Sequence, residues 1–147
     1  MKVRVQIVES EEQEEIIIKY VKPTKIYREI KDFCQNVETM LTVYTADREM
    51  KKIPLADILY IEAVGDRVFA YTSKQVYEMK GRLYQLEEQL AGGRMVRASK
   101  STLVNIRHIR SMKPEMNGRM YAKMSNGENI MVSRNYAKEL KGMTVMQ

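Results

Sequence analysis

From residue 41 onward, short apolar runs are cut at close intervals by residues that reverse a chain, and this constrains the fold more than any other feature. Residues 41–45 and 49–54 flank Ala46-Asp47-Arg48. Residues 58–64 are apolar but for Glu62 and end at Gly65-Asp66, while residues 68–72 and 75–80 flank Ser73-Lys74. Asn117-Gly118 and Asn126-Gly127 bracket residues 119–124 and lead into 128–132. Both residues of an Asn-Gly pair tolerate the positive φ of a type I′ hairpin turn. The spacing predicts a mostly β module over residues 41–147 that closes on a three-strand meander.

Two short helices interrupt it. Leu83, Leu86 and Leu90 fall on one helical face of residues 82–91, and Gly92-Gly93 supplies a left-handed stop. Ser133 is placed to cap a last helix from Arg134 to about Lys141.

Residues 1–40 have a different texture and read as a strand-strand-helix extension. Val3, Val5 and Ile7 alternate along residues 2–8; five acids follow among residues 9–15 (Glu9, Glu11, Glu12, Glu14, Glu15); residues 15–21 carry Ile16-Ile17-Ile18, a short apolar run that reads as a second strand and is also compatible with helix. After Pro23, Thr24 is an N-cap, and Ile26, Ile30, Phe33 and Val37 recur on one face of a helix over residues 25–37.

Charge is concentrated where function is sought. Residues 94–147 hold 11 Lys or Arg against Glu115, Glu128 and Glu139, a local charge of +8, while residues 1–93 hold 14 cations against 16 acids, or −2. Six of the cations (Arg94, Arg97, Lys100, Arg107, Arg110, Lys113) lie between positions 94 and 113 with no acid among them. That pattern suits a polyanion. Ser99 and Ser101 flank Lys100 and are short enough to donate to phosphate oxygens without blocking the lysine. A solvated charged surface is the ordinary alternative. Arg94 and Arg97 read as part of a strand leading into this turn, Arg107 and Arg110 as part of one leading out.

Catalysis finds no support in the residue inventory. One His (His108), one Cys (Cys34) and no suggestively spaced carboxylate pair leave neither a nucleophile-base dyad nor a four-ligand metal site, and no phosphate-binding glycine loop is present. No catalytic residue, metal, cofactor or small-molecule substrate is therefore expected. His108 reads as a surface or packing residue, Cys34 as a packing residue, and Asn105 as one that fixes a turn by bonding the backbone. A lone cysteine allows no internal disulfide, and no apolar run approaches the roughly 18 residues of a membrane span. A cytoplasmic location is expected, with any membrane association made through a partner. The strand tyrosines Tyr60, Tyr71, Tyr77 and Tyr121 read as packing residues rather than base-stacking platforms.

Four collinear segments then carry a resemblance. They are Leu-Ala-Asp-Ile-Leu-Tyr-Ile-Glu-Ala at 55–63, Tyr-Glu-Met-Lys-Gly-Arg-Leu-Tyr-Gln-Leu-Glu-Glu-Gln-Leu at 77–90, Met-Val-Arg-Ala-Ser-Lys-Ser-Thr-Leu-Val-Asn-Ile at 95–106 and Asn-Gly-Glu-Asn-Ile-Met-Val-Ser-Arg-Asn-Tyr at 126–136. Together they resemble the LytTR family of bacterial DNA-binding domains over roughly the last 100 residues. The resemblance implies stacked, mainly antiparallel sheets rather than a helix-turn-helix, and double-stranded promoter DNA read by loops in the major groove. It implies a transcriptional regulator.

By motif match, Lys100 falls where the family presents a polar loop residue to DNA, and Arg134 where it uses an arginine able to reach a base edge. Either Asp66 or Arg67 occupies the third such position. Arg97, Ser99, Ser101, Asn135 and Lys138 are candidate backbone contacts. Residues 1–40 are too few for the phosphoreceiver many members carry, so this extension is expected to pack on the DNA-binding part, to form a homodimer or to meet a regulatory partner such as a small membrane protein. The rival reading is a β-rich interaction module whose basic face binds RNA or an acidic protein.

Overall fold

A computed structural model describes residues 2–36 and 39–145. The chain divides into two compact units, Met1–Cys34 and Gln35–Gln147.

Helix α1 spans Lys25–Asn36, all but its last two residues in the first unit. Thr24 starts it, its hydroxyl accepting from the Tyr27 N–H at 3.3 Å and its carbonyl from Arg28 at 3.1 Å. The Tyr27 ring lies against that of Tyr20, with centroids 4.2 Å apart and the planes tilted by 36°. The two expected strands over residues 2–8 and 15–21 do not form: both segments run outside any ladder, with only a short 3-10 turn, Glu11–Gln13, between them. The physical reason is exposure. Alternation marks which side chains would face a core, but a strand needs a partner for its backbone, and Val3, Val5 and Ile7 stand 85%, 90% and 95% exposed. Ile26, Ile30 and Phe33 on α1 are exposed as well; Val37, the fourth member of that face, lies outside the described residues.

The second unit is mainly β, as expected. Strands β1 (Met40–Tyr44), β2 (Met50–Pro54), β3 (Ile58–Val64), β4 (Arg67–Thr72), β5 (Val76–Met79), β6 (Met95–Ser99) and β7 (Thr102–Asn105) form one sheet in the order β2-β1-β5-β4-β3-β7-β6. Strands β8 (Ile109–Pro114), β9 (Met120–Met124) and β10 (Asn129–Val132) form the closing meander in the order β10-β9-β8. Every strand pair is antiparallel. Helix α2 (Leu83–Gln89) precedes β6 and α3 (Arg134–Val145) follows β10. Gly92, at φ +82, takes the left-handed conformation expected just beyond α2.

Two cores result from one central sheet. Leu83, Leu86 and Leu90 pack with Leu41, Val43, Ile61, Val68, Met79 and Leu103 on one side. Tyr60, Ala98 and Val104 pack on the other with Met120, Ala122, Met124 and Val132 of the meander and Ala137 and Leu140 of α3. Because β3 and β7 contribute to both cores, their apolar runs are continuous rather than alternating.

Two local expectations are corrected. Arg107 and Arg110 do not lie on the strand leading out of the Lys100 turn; that strand ends at Asn105, Arg107 sits in a 3-10 turn and Arg110 belongs to β8 of the other sheet. The chain changes sheets there because Asn105, 1% exposed, donates from Nδ2 to the Ile58 carbonyl at 2.9 Å and accepts from the Arg107 N–H at 3.1 Å. The other correction concerns the Asn-Gly pairs. Asn117 and Gly118 both take positive φ, at 64° and 78°, whereas in the second pair only Gly127 does, at 89°. There Gly127 N–H donates to Met124 O at 2.9 Å and Met124 N–H to Glu128 O at 2.8 Å, a type I turn followed by a glycine bulge.

His108 is a packing residue, as expected. Its Nε2 lies against the Ala56 carbonyl at 2.5 Å and its Nδ1 against Ser125 Oγ at 3.1 Å, tying the 3-10 turn before β3 to the β9–β10 turn. A carbonyl only accepts, so Nε2 carries a proton.

Candidate nucleic-acid interface

Sheet register brings two of the predicted turns to one end of the molecule. Glu62 pairs with Thr102, so the β3–β4 turn at Gly65-Asp66 and the β6–β7 turn at Lys100-Ser101 project from the same side of adjacent hairpins. The Ala63 N–H donates to the Ser101 carbonyl at 2.8 Å and ties them together. The third turn comes from far along the chain: the Ser133 N–H donates to the Ala98 carbonyl at 2.9 Å, which seats the start of α3 against the end of β6. Ala98 is fully buried, and a larger side chain there would meet the core that α3 joins.

The Lys100 turn is held from beneath. Arg97 Nε donates to Glu87 Oε2 of α2 at 2.8 Å, and its Nη1 to the Lys100 carbonyl at 2.7 Å. With 15% of its side chain exposed, Arg97 has its guanidinium committed to the protein. Ser101 N–H donates to Ser99 Oγ at 3.3 Å, and the two hydroxyls are 3.5 Å apart. What this leaves outward is the exposed Lys100, whose ammonium has no ion pair among the described residues.

Arg134 opens the first turn of α3 and is exposed. The Ser133 carbonyl accepts from Tyr136 at 3.0 Å and Ala137 at 2.9 Å, so the helix begins at once, and Lys138 follows Arg134 on the same face. The Arg134 stem packs against Gly118 of the β8–β9 turn, where an added Cβ would come within 2.9 Å of Arg134 Cγ. Like Lys100, Arg134, Asn135 and Lys138 are exposed and have no ion pair among the described residues.

The β3–β4 turn is different. Arg67 lies across β4 and β5 with Nε donating to Glu78 Oε1 at 3.0 Å and Nη2 to Oε2 at 2.5 Å, and its guanidinium is 5.3 Å from the centre of the Phe69 ring. The pair stabilises both charges: the Arg67 pKa is raised chiefly by its hydrogen bond to Glu78, and the Glu78 pKa is lowered chiefly by the same bond. Asp66 stands beside it, exposed at the turn.

Thus the turn that carries Ser99, Lys100 and Ser101 and the helix start that carries Arg134 and Asn135 are joined by one backbone bond, Lys138 follows along α3, Arg97 braces the Lys100 turn, and Arg67 is paired with Glu78. Three contributors were not recognised in the sequence. Glu87 and Glu78 carry no local signal, since each acts on an arginine of another element. Gly118 was read only as a hairpin residue; that its missing side chain makes room for Arg134 depends on a contact between distant segments.

This arrangement has counterparts in known proteins. The LytTr DNA-binding domain family matches residues 48–144. A protein described as an uncharacterized HTH-type transcriptional regulator, from Staphylococcus aureus strain NCTC 8325, is 34% identical over 95 residues, which cover 65% of this chain and 64% of that protein. Sensory transduction protein LytT of Bacillus cereus is 31% identical over 113 residues, 77% of this chain and 46% of that protein. The matched region therefore spans less than two thirds of either relative. In structure, the chain resembles the LytTr DNA-binding domain of a methyl-accepting/DNA response regulator from Bacillus cereus with a TM-score of 0.66 at 24% identity, over 72% of this chain and 96% of that one. Among the described residues no two α-helices are consecutive, since β1 to β5 separate α1 from α2 and β6 to β10 separate α2 from α3.

Proposed function

The chain belongs to the LytTr DNA-binding domain family, and from that premise we propose that it is a sequence-specific transcriptional regulator reading double-stranded promoter DNA with turns placed in the major groove. The observation that carries this reading is the joining of the Lys100 and Arg134 turns through Ser133 and Ala98. Arg134 is the base reader: a guanidinium can pair in a fork with guanine O6 and N7. Lys100 meets the backbone or a base edge, while Ser99, Ser101, Asn135 and Lys138 hold phosphates. Arg97 acts by shaping the Lys100 turn. Arg67 takes part by exchanging Glu78 for a phosphate.

The same reading has the protein act in the cytoplasm as a homodimer on repeated promoter elements, without catalytic activity or cofactor, under the control of a small membrane protein. No helix among the described residues is long and apolar enough to cross a membrane. Recovery of such a partner from membranes in a pull-down is the expected result for that last element.

Fluorescence anisotropy with the duplex upstream of its own coding sequence, an unrelated duplex and single-stranded RNA tests the function. The expected result is preference for the first. Equal affinity for all duplexes, or tighter binding of RNA, sinks it.

A further inference from the structure

Eleven large apolar side chains of the first unit stand exposed, from Val3, Val5, Ile7 and Val8 at the start to Ile26, Ile30 and Phe33 on α1, each at least 36%. Summed over the segment, these exposures place roughly 1,000 Å² of such residues in solvent, whereas a monomer's largest apolar patch is ordinarily a few hundred Å². The area is comparable to the approximately 800 Å² per partner of a standard interface. Residues 2–8 also lie outside any ladder, so their backbone groups are available to another strand. Exposure, strand alternation and a free backbone edge coincide on one segment.

We propose that this surface is where a second copy of the chain binds, two copies of residues 2–8 pairing antiparallel about Val5 with the apolar face of α1 covering the paired strands. The inference rests on the homodimer of the proposed function and assigns its interface. Charge selects a second copy over an unlike partner. Residues 2–8 carry Lys2 and Arg4 and no acid, whereas residues 9–15 carry Glu9, Glu11, Glu12, Glu14 and Glu15 and no cation. In a two-fold antiparallel pair about Val5, Lys2 of each copy faces the partner's Val8, next to Glu9 at the start of the partner's acidic run, and the contact is made twice. The same register sets Val3 opposite the partner's Ile7 and Val5 opposite the partner's Val5, so the alternating apolar face stays continuous. A lipid surface fits poorly, because five carboxylates adjoin the apolar segment and an anionic leaflet repels them.

Light scattering on the full chain at micromolar concentration tests this. The wild type is expected at the mass of two chains and Val5→Lys at the mass of one. Two charge variants guard against simple misfolding: Lys2→Glu with Arg4→Glu, and Glu9→Lys with Glu12→Lys. Each is expected to be monomeric alone, and a mixture of the two is expected to recover the two-chain mass. A monomeric wild type, a dimeric Val5→Lys chain or a mixture that stays monomeric overturns the inference. A monomer that still selects its promoter duplex sinks only this interface, while a dimer with no DNA preference sinks only the functional reading.

Discussion

The Ser133 N–H donates to the Ala98 carbonyl at 2.9 Å, and this one backbone bond joins two turns that lie more than thirty residues apart in sequence. It sets the origin of α3 relative to β6, so the exposed Arg134 and Lys100 extend from one scaffold. Rigid elements place side chains more precisely than free loops do, and the predictions below follow from that placement.

Replacing Arg134 with alanine is expected to cost about 1 to 3 kcal/mol of discrimination between cognate and altered sites, the worth of a bidentate base contact. Arg134→Lys is expected to recover little of it, because an ammonium lacks the planar fork. Competition binding with single-base variants of the site measures both. Unchanged discrimination in Arg134→Ala rules out base reading by this residue.

Lys100→Ala is expected to weaken cognate and unrelated duplexes alike. If the ammonium meets a phosphate, the slope of log affinity against log salt falls by about one unit. A titration across salt concentrations decides the matter; a loss confined to the cognate duplex would assign Lys100 to a base instead.

Glu87 offers a sharper test of how the turn is built. Removing a carboxylate ordinarily strengthens DNA binding, but Glu87 holds Arg97, which in turn holds the Lys100 carbonyl. Glu87→Ala is therefore expected to weaken binding with little change in the salt slope. Tighter binding by this variant would show that the Lys100 turn needs no support from α2.

Gly118→Ala is expected to destabilise the fold by roughly 1 to 2 kcal/mol, the usual cost of a side chain in the left-handed region. The residue sits at φ +78, and the new methyl would also press on Arg134 Cγ. Denaturant unfolding and DNA selectivity should fall together. Asn117→Ala, also at positive φ but at a position that already carries a Cβ, is expected to lower stability while sparing selectivity.

Alkaline pH provides the fifth test. Tyr60 is buried and donates to Glu128 at 2.8 Å; burial first, then that hydrogen bond, raises its pKa from the ordinary 10.0. The unfolded chain ionises this phenol before the folded one, so the stability it contributes is complete below pH 10 and declines above it. Tyr60→Phe is expected to be less stable at neutral pH and to lose less on going above pH 10, as read by unfolding across pH. Parallel curves for the two proteins would remove Tyr60 as the source. Tyr71, stacked on Tyr60 at 4.3 Å and also raised by burial, stays in both.

Much of the second unit was legible because its signals are local. The bounds of β3, the α2 stripe, Gly92 beyond it and the direction of the meander all follow from periods and turn chemistry that a few neighbouring residues express. Asn105 was legible for the same reason, as a short polar side chain able to bond its own backbone. Residues 2–8 show the limit of that reasoning. Their alternation is a strand's, but local pattern names a face and not what covers it, and among the described residues nothing completes the ladder.

By itself, then, the sequence determined a mostly β chain with a basic last third and the segments from which a DNA-reading surface would be drawn, since charge and periodicity belong to residue types. Tertiary structure alone decided which arginines face outward. Arg134 does because Gly118 leaves room for its stem, whereas Arg97 and Arg67 are turned to Glu87 and Glu78. A guanidinium goes where a carboxylate or carbonyl best satisfies its donors, and those partners arrive from other elements only when the sheets and helices pack.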